Sequence, residues 1–253
     1  MITFTALGKK YKFPHSLEEV SLREFIKYCE LERDHQPPKY KELISLKEEL
    51  SQVPEGDKLD RAGLEAKIEA VLEEVSSPAY MEERLSWAAK VVEFWTVLKY
   101  TTIMGEDGGE GMNAPQLEAL SFQLQKLVNT PPEVEYSNII EFKGELWYLP
   151  AQYMKDSTVI EYLESSQFYK LQEALAGGQW GALASVICIL LRKKGEKYNK
   201  KLLERREFFL DMPMNKAYKV AFFFTKRIDT YSTLLGTYTA AQAVSKLRRE
   251  LTC

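Results

Sequence analysis

Residues 2–25 read ITFTALGKKYKFPHSLEEVSLREF, and the fold prediction starts from this stretch. Apolar and polar residues alternate over 2–6 and again over 9–13, with Gly8 between the two runs and Pro14 after them. A period of two on either side of a glycine turn is typical of two paired strands. The pattern therefore predicts a short β-hairpin.

A helix is predicted to follow this hairpin. Ser21 and Glu24 have the spacing of a capping box, in which each side chain binds the backbone N–H of the other residue. An apolar stripe at helical spacing follows, at Leu22, Phe25, Ile26 and Cys29. The first structural unit is thus expected to be a hairpin that leads into a capped helix.

The same design returns at residues 139–150, IIEFKGELWYLP. Both segments share a glycine, an aromatic residue, an apolar residue and a proline at matching spacing: Gly8, Tyr11, Phe13 and Pro14 against Gly144, Trp147, Leu149 and Pro150. Ser157 and Glu161 then take the places of Ser21 and Glu24, with one extra residue. The similarity is explained either by an internal duplication or by two independent hairpin–helix units, and both explanations predict the same local structure.

Residues 39–76 form a charged segment around a turn at 53–57. Glutamate and lysine recur three and four residues apart, while Leu64, Ile68, Val71 and Leu72 lie together on another face. So narrow an apolar stripe predicts a projecting helical hairpin with one buried seam. The segment is a candidate interaction arm, and the alternative is a peripheral hairpin packed on its own domain.

The rest of the chain is predicted to be helical. A central buried helix is expected over 85–103, because apolar residues occur nearly all round it. Asn113 is expected to cap a helix that ends at Val128, and Asn215 to cap another over 217–235. Further helices are predicted over 162–175, 180–191, 200–210 and 239–251.

The predicted fold class is therefore mainly α, a helical bundle with two short β-hairpins and a projecting charged helical hairpin. Two parts are expected. Residues 1–130 would hold the first hairpin–helix unit, the arm and the central helix, and residues 131–253 the second unit and a C-terminal bundle. One continuous domain is the alternative.

Charge and cysteine content restrict the class of protein. The net charge of −3 disfavours a protein that binds nucleic acid through its phosphates. The densest basic segment, residues 192–206, is interpreted as a solvated loop and helix start, the alternative being a surface for an acidic partner or phosphates. Three cysteines without CxxC spacing indicate a reducing compartment. With no signal-peptide pattern and no apolar run of spanning length, the chain is expected in the cytosol or in a particle assembled there.

No pattern of catalytic or metal-binding residues stands out. His15 and His35 have no partner at the spacing of metal ligands, and no nucleophile elbow is present. The acidic loop 105–111 has neither the Lys-Ser/Thr of a phosphate-binding loop nor the ligand spacing of a calcium loop, and a mobile surface loop is expected there. The prediction is a protein that is not an enzyme, with no catalytic, cofactor or metal residues.

Two stretches resemble proteins from the tail-gene clusters of tailed phages. Residues 13–25, FPHSLEEVSLREF, resemble the "P-x-S-x-x-E-V-T-L-x-x-[FY]" opening of tail assembly chaperones and baseplate-hub assembly factors. Within residues 190–224, the pattern "G-E-x-Y … E-R … F-x-D-x-P-M … A-x-x-V-x-F-F-F" is similar to proteins of the same gene neighbourhoods in Bacteroidetes phages. Together the stretches cover about a quarter of the chain, and the arm has no counterpart.

This resemblance implies a tail assembly or virion structural protein that acts through protein–protein contacts. Its expected partners are other phage tail or virion proteins, with the tape-measure protein as one option and a homo-oligomer as another. Its expected location is the host cytoplasm, the virion or both. A helical adaptor of some cellular system is the alternative function.

Overall fold

The computed structural model describes residues 2–6, 8–54, 57–130, 132–133, 137–149 and 180–222. Over these ranges the protein is mainly α with two small antiparallel β-hairpins, which confirms the predicted fold class. The described residues fall into two compact units. The first comprises those of Met1–Glu19 and Lys27–Thr130, and the second those of Val20–Ile26 and Pro131–Cys253. The predicted division grouped residues 20–26 with the first part, whereas here they belong to the second unit.

The first hairpin pairs strands β1 (Ile2–Ala6) and β2 (Lys9–Phe13) in the register Ile2 to Phe13. Gly8 lies in the turn with φ of 70°, a backbone conformation that glycine adopts without steric cost. The ring centroid of Phe4 lies 5.5 Å from that of Tyr11 and 5.6 Å from that of Phe13. These cross-strand aromatic contacts stabilise the predicted pairing.

Helix α1 (Leu22–His35) begins with the predicted capping box. The Glu24 backbone N–H donates to Ser21 Oγ at 3.2 Å, and the Ser21 N–H donates to Glu24 Oε2 at 2.8 Å. Leu22 and Phe25 are buried, as the apolar stripe predicts. In the second unit, the Leu22 N–H also donates to the Met212 carbonyl at 2.8 Å, so the start of α1 is bound to a distant part of the chain.

Helices α2 (Pro38–Gln52) and α3 (Lys58–Ser76) form the predicted charged hairpin. Its seam is narrow, with Leu43, Val71 and Val75 buried and a surrounding set of partly buried residues, Tyr40, Leu46, Ile68 and Tyr80. The Asp57 side chain caps α3 by accepting from the Asp60 N–H at 3.4 Å. The opposite face of α3 is exposed.

The single helix predicted over 85–103 is two helices, α4 (Met81–Trp95) and α5 (Tyr100–Met104), after a 3-10 turn at Pro78–Tyr80. Thr96 explains the break. Its Oγ1 donates to the Val92 carbonyl at 2.7 Å and accepts from the Leu98 N–H at 3.1 Å, which satisfies these backbone groups outside a helix. Val97 is 86% exposed at this break, so an apolar residue is solvated where burial was predicted.

Residues 105–111 connect α5 to helix α6 (Ala114–Asn129) through a hydrogen-bonded loop. Asp107 Oδ2 accepts from Thr102 Oγ1 at 2.8 Å, and the Met112 N–H donates to the Ile103 carbonyl at 2.8 Å. Asn113 caps α6 as predicted, accepting from the Gln116 N–H at 2.9 Å. The core face of α6 contains Leu117, Leu120, Leu124 and Val128, all buried.

The second unit contains the second predicted hairpin, β3 (Ile139–Phe142) and β4 (Glu145–Tyr148). Lys143 and Gly144 both have positive φ, of 50° and 74°, which makes the connection a type I′ turn. Trp147 is buried against Phe209, with ring centroids 4.8 Å apart. The hairpin is therefore anchored by aromatic packing.

The remaining elements of this unit are α7 (Gly181–Leu190), a 3-10 helix (Lys200–Arg205), α8 (Arg206–Leu210) and a helical stretch over 214–222. The predicted amphipathic helix over 200–210 is thus a 3-10 segment followed by a short α-helix. The Asn199 side chain accepts from the Lys201 N–H and fixes this tighter start. Asn215 was predicted as a cap, but the helical stretch begins one residue earlier. Several predictions lie outside the described residues: the cap at Ser157 and Glu161, the helices over 162–175 and 239–251, and residues 223–235 of the helix predicted over 217–235.

Candidate protein-binding groove

The first unit has an open groove of about 250 Å³ between three helices. We call it the Arg84 groove. It is lined by Tyr40 from α2, by Arg84, Trp87 and Ala88 from α4, and by Glu118, Ser121, Phe122 and Gln125 from α6. Tyrosine, tryptophan and arginine are the residue types that most often dominate the free energy of protein–protein binding.

The floor of the groove is a chain of side-chain hydrogen bonds. The Trp87 indole Nε1 donates to Gln125 Oε1 at 3.4 Å, and Gln125 Nε2 donates to Ser121 Oγ at 2.9 Å. Trp87 and Ser121 are each only 2% exposed. Because the buried polar groups bind one another, the floor is fixed before any partner arrives.

Arg84 and Glu118 form the wall of the groove and connect three helices. The Arg84 guanidinium donates through Nε to Glu118 on α6 and through NH1 to the Val75 carbonyl, 3.0 Å away near the end of α3. Both side chains keep part of their surface in solvent, at 22% and 37% exposure. The pair connects the helices that border the groove and keeps polar surface exposed to solvent.

Phe122 forms an exposed apolar rim beside this wall. It is 68% exposed on α6, which is high for a large aromatic residue in a regular helix. A phenylalanine offers roughly 150–250 Å², so on the order of 100–170 Å² remains uncovered. At ~25 cal/mol per Å², covering that surface contributes about 2.5–4 kcal/mol. The rim is thus a substantial apolar anchor.

Tyr40 lies on the other side of the groove and is half-buried. Burial raises the pKa of its phenol, which Arg84 partly offsets, so the phenol stays protonated at neutral pH. The groove therefore combines an apolar rim, a floor of hydrogen-bonded side chains, a protonated hydroxyl and a guanidinium. These groups suit the apolar side chain and nearby backbone of a protein partner.

A second open groove, of about 270 Å³, lies between the first hairpin and α6. It is mostly apolar and is lined by Phe4, Thr5, Phe13, Met112, Gln116, Ala119, Leu120 and Gln123. Its apolar lining offers fewer polar groups to orient a partner than the Arg84 groove does.

The basic segment 192–206 is only partly neutralised. Lys193 forms an ion pair with Glu145 and lies over the Trp147 ring, 4.1 Å from its centroid, while Arg205 forms an ion pair with Glu196. Lys194, Lys197 and Lys201 are exposed and form no ion pair within the described part of the chain. The structure thus divides the segment into anchoring cations and cations that face solvent.

The two histidines lie near charged side chains, and Cys29 and Cys188 are buried. His15 Nδ1 lies 2.8 Å from Glu19, and His35 Nδ1 lies 3.4 Å from Lys90 Nζ. Burial raises the pKa of the Cys29 thiol to about 12 and that of Cys188 to about 11, so both thiols stay protonated. Among the residues that the structure describes, there is no group of three or more His, Cys, Asp or Glu side chains that could hold a metal ion.

Sequence reasoning missed the Arg84 groove, although one signal pointed to it. The apolar stripe of α6 includes Leu117, Leu120 and Leu124, and Phe122 falls outside that stripe. A phenylalanine on the polar side of an amphipathic helix indicates an exposed anchor. The pairing of Arg84 with Glu118 had no such signal, because it depends on how α4 and α6 pack.

Comparison with known proteins finds no matching family model, no similar curated protein and no similar solved structure. In the described ranges, no helix combines the length and apolar character needed to cross a membrane.

Proposed function

We propose that this protein is a non-enzymatic assembly or virion structural protein of a tailed phage, and that it binds another tail protein through the Arg84 groove. The observation that carries the binding role is the exposed Phe122 rim beside a preorganised floor of Trp87, Ser121 and Gln125. The phage assignment rests on the resemblance of residues 13–25 and 190–224 to tail-cluster proteins.

The groove favours a partner with an exposed apolar segment. Phe122 is an exposed apolar side chain next to the polar pair Arg84 and Glu118, and protein interfaces commonly combine apolar and polar groups in this way. A tape-measure protein awaiting tail assembly would offer such segments, and the resemblance makes it the first partner to test. On this proposal the protein acts in the host cytoplasm, and in its structural version it remains in the virion.

The test is co-expression of the tagged full chain with the tape-measure protein encoded in the same gene cluster. Wild-type protein should retain the tape-measure protein on affinity resin. Phe122→Ala should weaken the complex by at least about 30-fold in Kd, since covering this exposed ring contributes more than about 2 kcal/mol by the area estimate above. Its folding should be unaffected, because the side chain is mostly solvated in the free protein.

Val97→Ala is the matched control. Val97 is 86% exposed in the same unit and does not line the groove, so this variant should bind like wild type. Absence of any complex with wild-type protein would refute the tape-measure partner. Equal affinity of the Phe122→Ala and wild-type proteins would refute the groove as the binding surface. Mass spectrometry of purified particles separates the two versions, since only a structural protein is found there at fixed copy number.

A further inference from the structure

Two exposed surfaces among the described residues, one in each unit, have opposite charge. The basic segment 192–206 has eight basic and two acidic residues in a chain whose net charge is −3. Lys194, Lys197 and Lys201 of this segment are exposed and form no ion pair with the described residues, and Leu203 of the same segment is 43% exposed. This surface offers positive charge together with an apolar contact.

The outer face of α3, opposite the seam with α2, is acidic and therefore complements the charge of the basic segment. Glu65, Glu69 and Glu73 are exposed at one-turn spacing along one edge of this face and form no ion pair with the described residues. Next to them the helix presents a stripe without charge, consisting of Leu59, Ala62, Gly63, Ala66 and Ala70, all exposed. Leu59 is 86% exposed.

We propose that the basic segment of one copy binds the outer face of α3 on a second copy. Charge complementarity selects this occupant, because three exposed lysines meet three exposed glutamates, none of which has an ion pair with the described residues, and each surface also has an exposed leucine. The two surfaces differ, so the contact is head-to-tail, and repetition of a head-to-tail contact builds a closed ring or an open helical array. The contact uses none of the residues of the Arg84 groove. A test of this self-association is therefore independent of whether the groove binds a tape-measure protein.

Individual exposed ion pairs contribute little, typically about 0–1 kcal/mol each, so the association should be weak and strongly dependent on salt. The screening length falls from about 30 Å at 0.01 M ionic strength to about 3 Å at 1 M. The full chain should therefore sediment above its monomer mass of 29.2 kDa at low ionic strength and return to that mass at high ionic strength.

Charge reversal tests which surfaces meet. The segment variant Lys194→Glu/Lys197→Glu/Lys201→Glu and the arm variant Glu65→Lys/Glu69→Lys/Glu73→Lys should each remain monomeric at low ionic strength. A chain with all six substitutions keeps the wild-type net charge and exchanges the signs of the two surfaces, so its association should return. The control Lys9→Glu/Lys10→Glu/Lys12→Glu reverses three exposed lysines of β2 and should associate like wild type.

Sedimentation equilibrium of the wild-type chain tests the self-association even if a variant fails to fold, because it measures the mass of the wild-type protein directly. A wild-type mass of 29.2 kDa at low ionic strength across the concentration series would overturn the proposal. So would loss of association in the β2 control, or a six-substitution chain that is folded by circular dichroism and remains monomeric.

Discussion

Gly111 offers the sharpest test of the loop between α5 and α6. A Cβ at this position would lie 2.9 Å from the Gly105 nitrogen, the Ile103 carbonyl oxygen and the Met104 carbonyl carbon. Non-bonded heavy atoms are optimally about 3.5–4.0 Å apart, and these three are backbone atoms that cannot rotate away. Overpacking of this kind costs typically 1–3 kcal/mol, while replacing glycine stabilises by about 0.4–1 kcal/mol through the unfolded chain. The middles of these two ranges give a net loss of about 1.3 kcal/mol in the free energy of unfolding for Gly111→Ala.

Urea denaturation followed by circular dichroism measures this change, and Gly109→Ala is the control in the same loop. A Cβ on Gly109 would meet only Asp107 Oδ1, at 3.3 Å, and that atom ends a side chain able to move. Gly109→Ala should therefore leave the midpoint unchanged or raise it slightly. Equal midpoints for the two variants would mean that the loop does not close on itself as described, and that the mobile loop expected from the sequence is the better account.

Two further predictions concern the helix cap and the cysteines. Ser21→Ala should lower the free energy of unfolding by about 1 kcal/mol, because it removes the acceptor of the Glu24 N–H. As a control, Ser45→Ala at an exposed position inside α2 should raise the free energy of unfolding by a few tenths of a kcal/mol. A lower free energy of unfolding in both variants would contradict the capping role. In Cys253→Ser protein, Cys29 and Cys188 should not react with a thiol reagent at pH 8 while folded, and both should react after unfolding, because burial holds their pKa values at about 12 and 11. A thiol that reacts rapidly in the native protein would show that its burial is wrong.

The features that sequence predicted well depend on residues close together in the chain. Both hairpins follow from alternation around a glycine, and the cap of α1 follows from Ser21 and Glu24 three residues apart. The break between α4 and α5 was missed because apolar residues continue through it. Hydrophobic periodicity also does not detect the hydrogen bonds of the Thr96 hydroxyl at the end of α4.

The Arg84 groove could be predicted only in part, since its shape depends on the packing of α2, α4 and α6. Phe122 could have been found from its place off the apolar stripe. The hydrogen bonds from Trp87 through Gln125 to Ser121 could not, because the first and last residues of that chain are 34 positions apart on different helices. The positive charge of the basic segment was evident in the sequence. Which of its cations form ion pairs became clear only from the positions of Glu145 beside Lys193 and of Glu196 beside Arg205.

The start of α1 has a consequence for dissecting the gene. Val20–Ile26 belongs to the second unit, where the Met214 N–H donates to the Val20 carbonyl at 2.7 Å and Leu22 binds the Met212 carbonyl. A fragment that begins at residue 131 would lack this inserted segment, and a fragment that ends at residue 130 would carry it without its partners. Splitting the gene at that point is therefore expected to give two polypeptides that fold poorly. Mixing the two polypeptides is expected to restore the contacts between residues 20–26 and Met212 and Met214, which each polypeptide lacks alone.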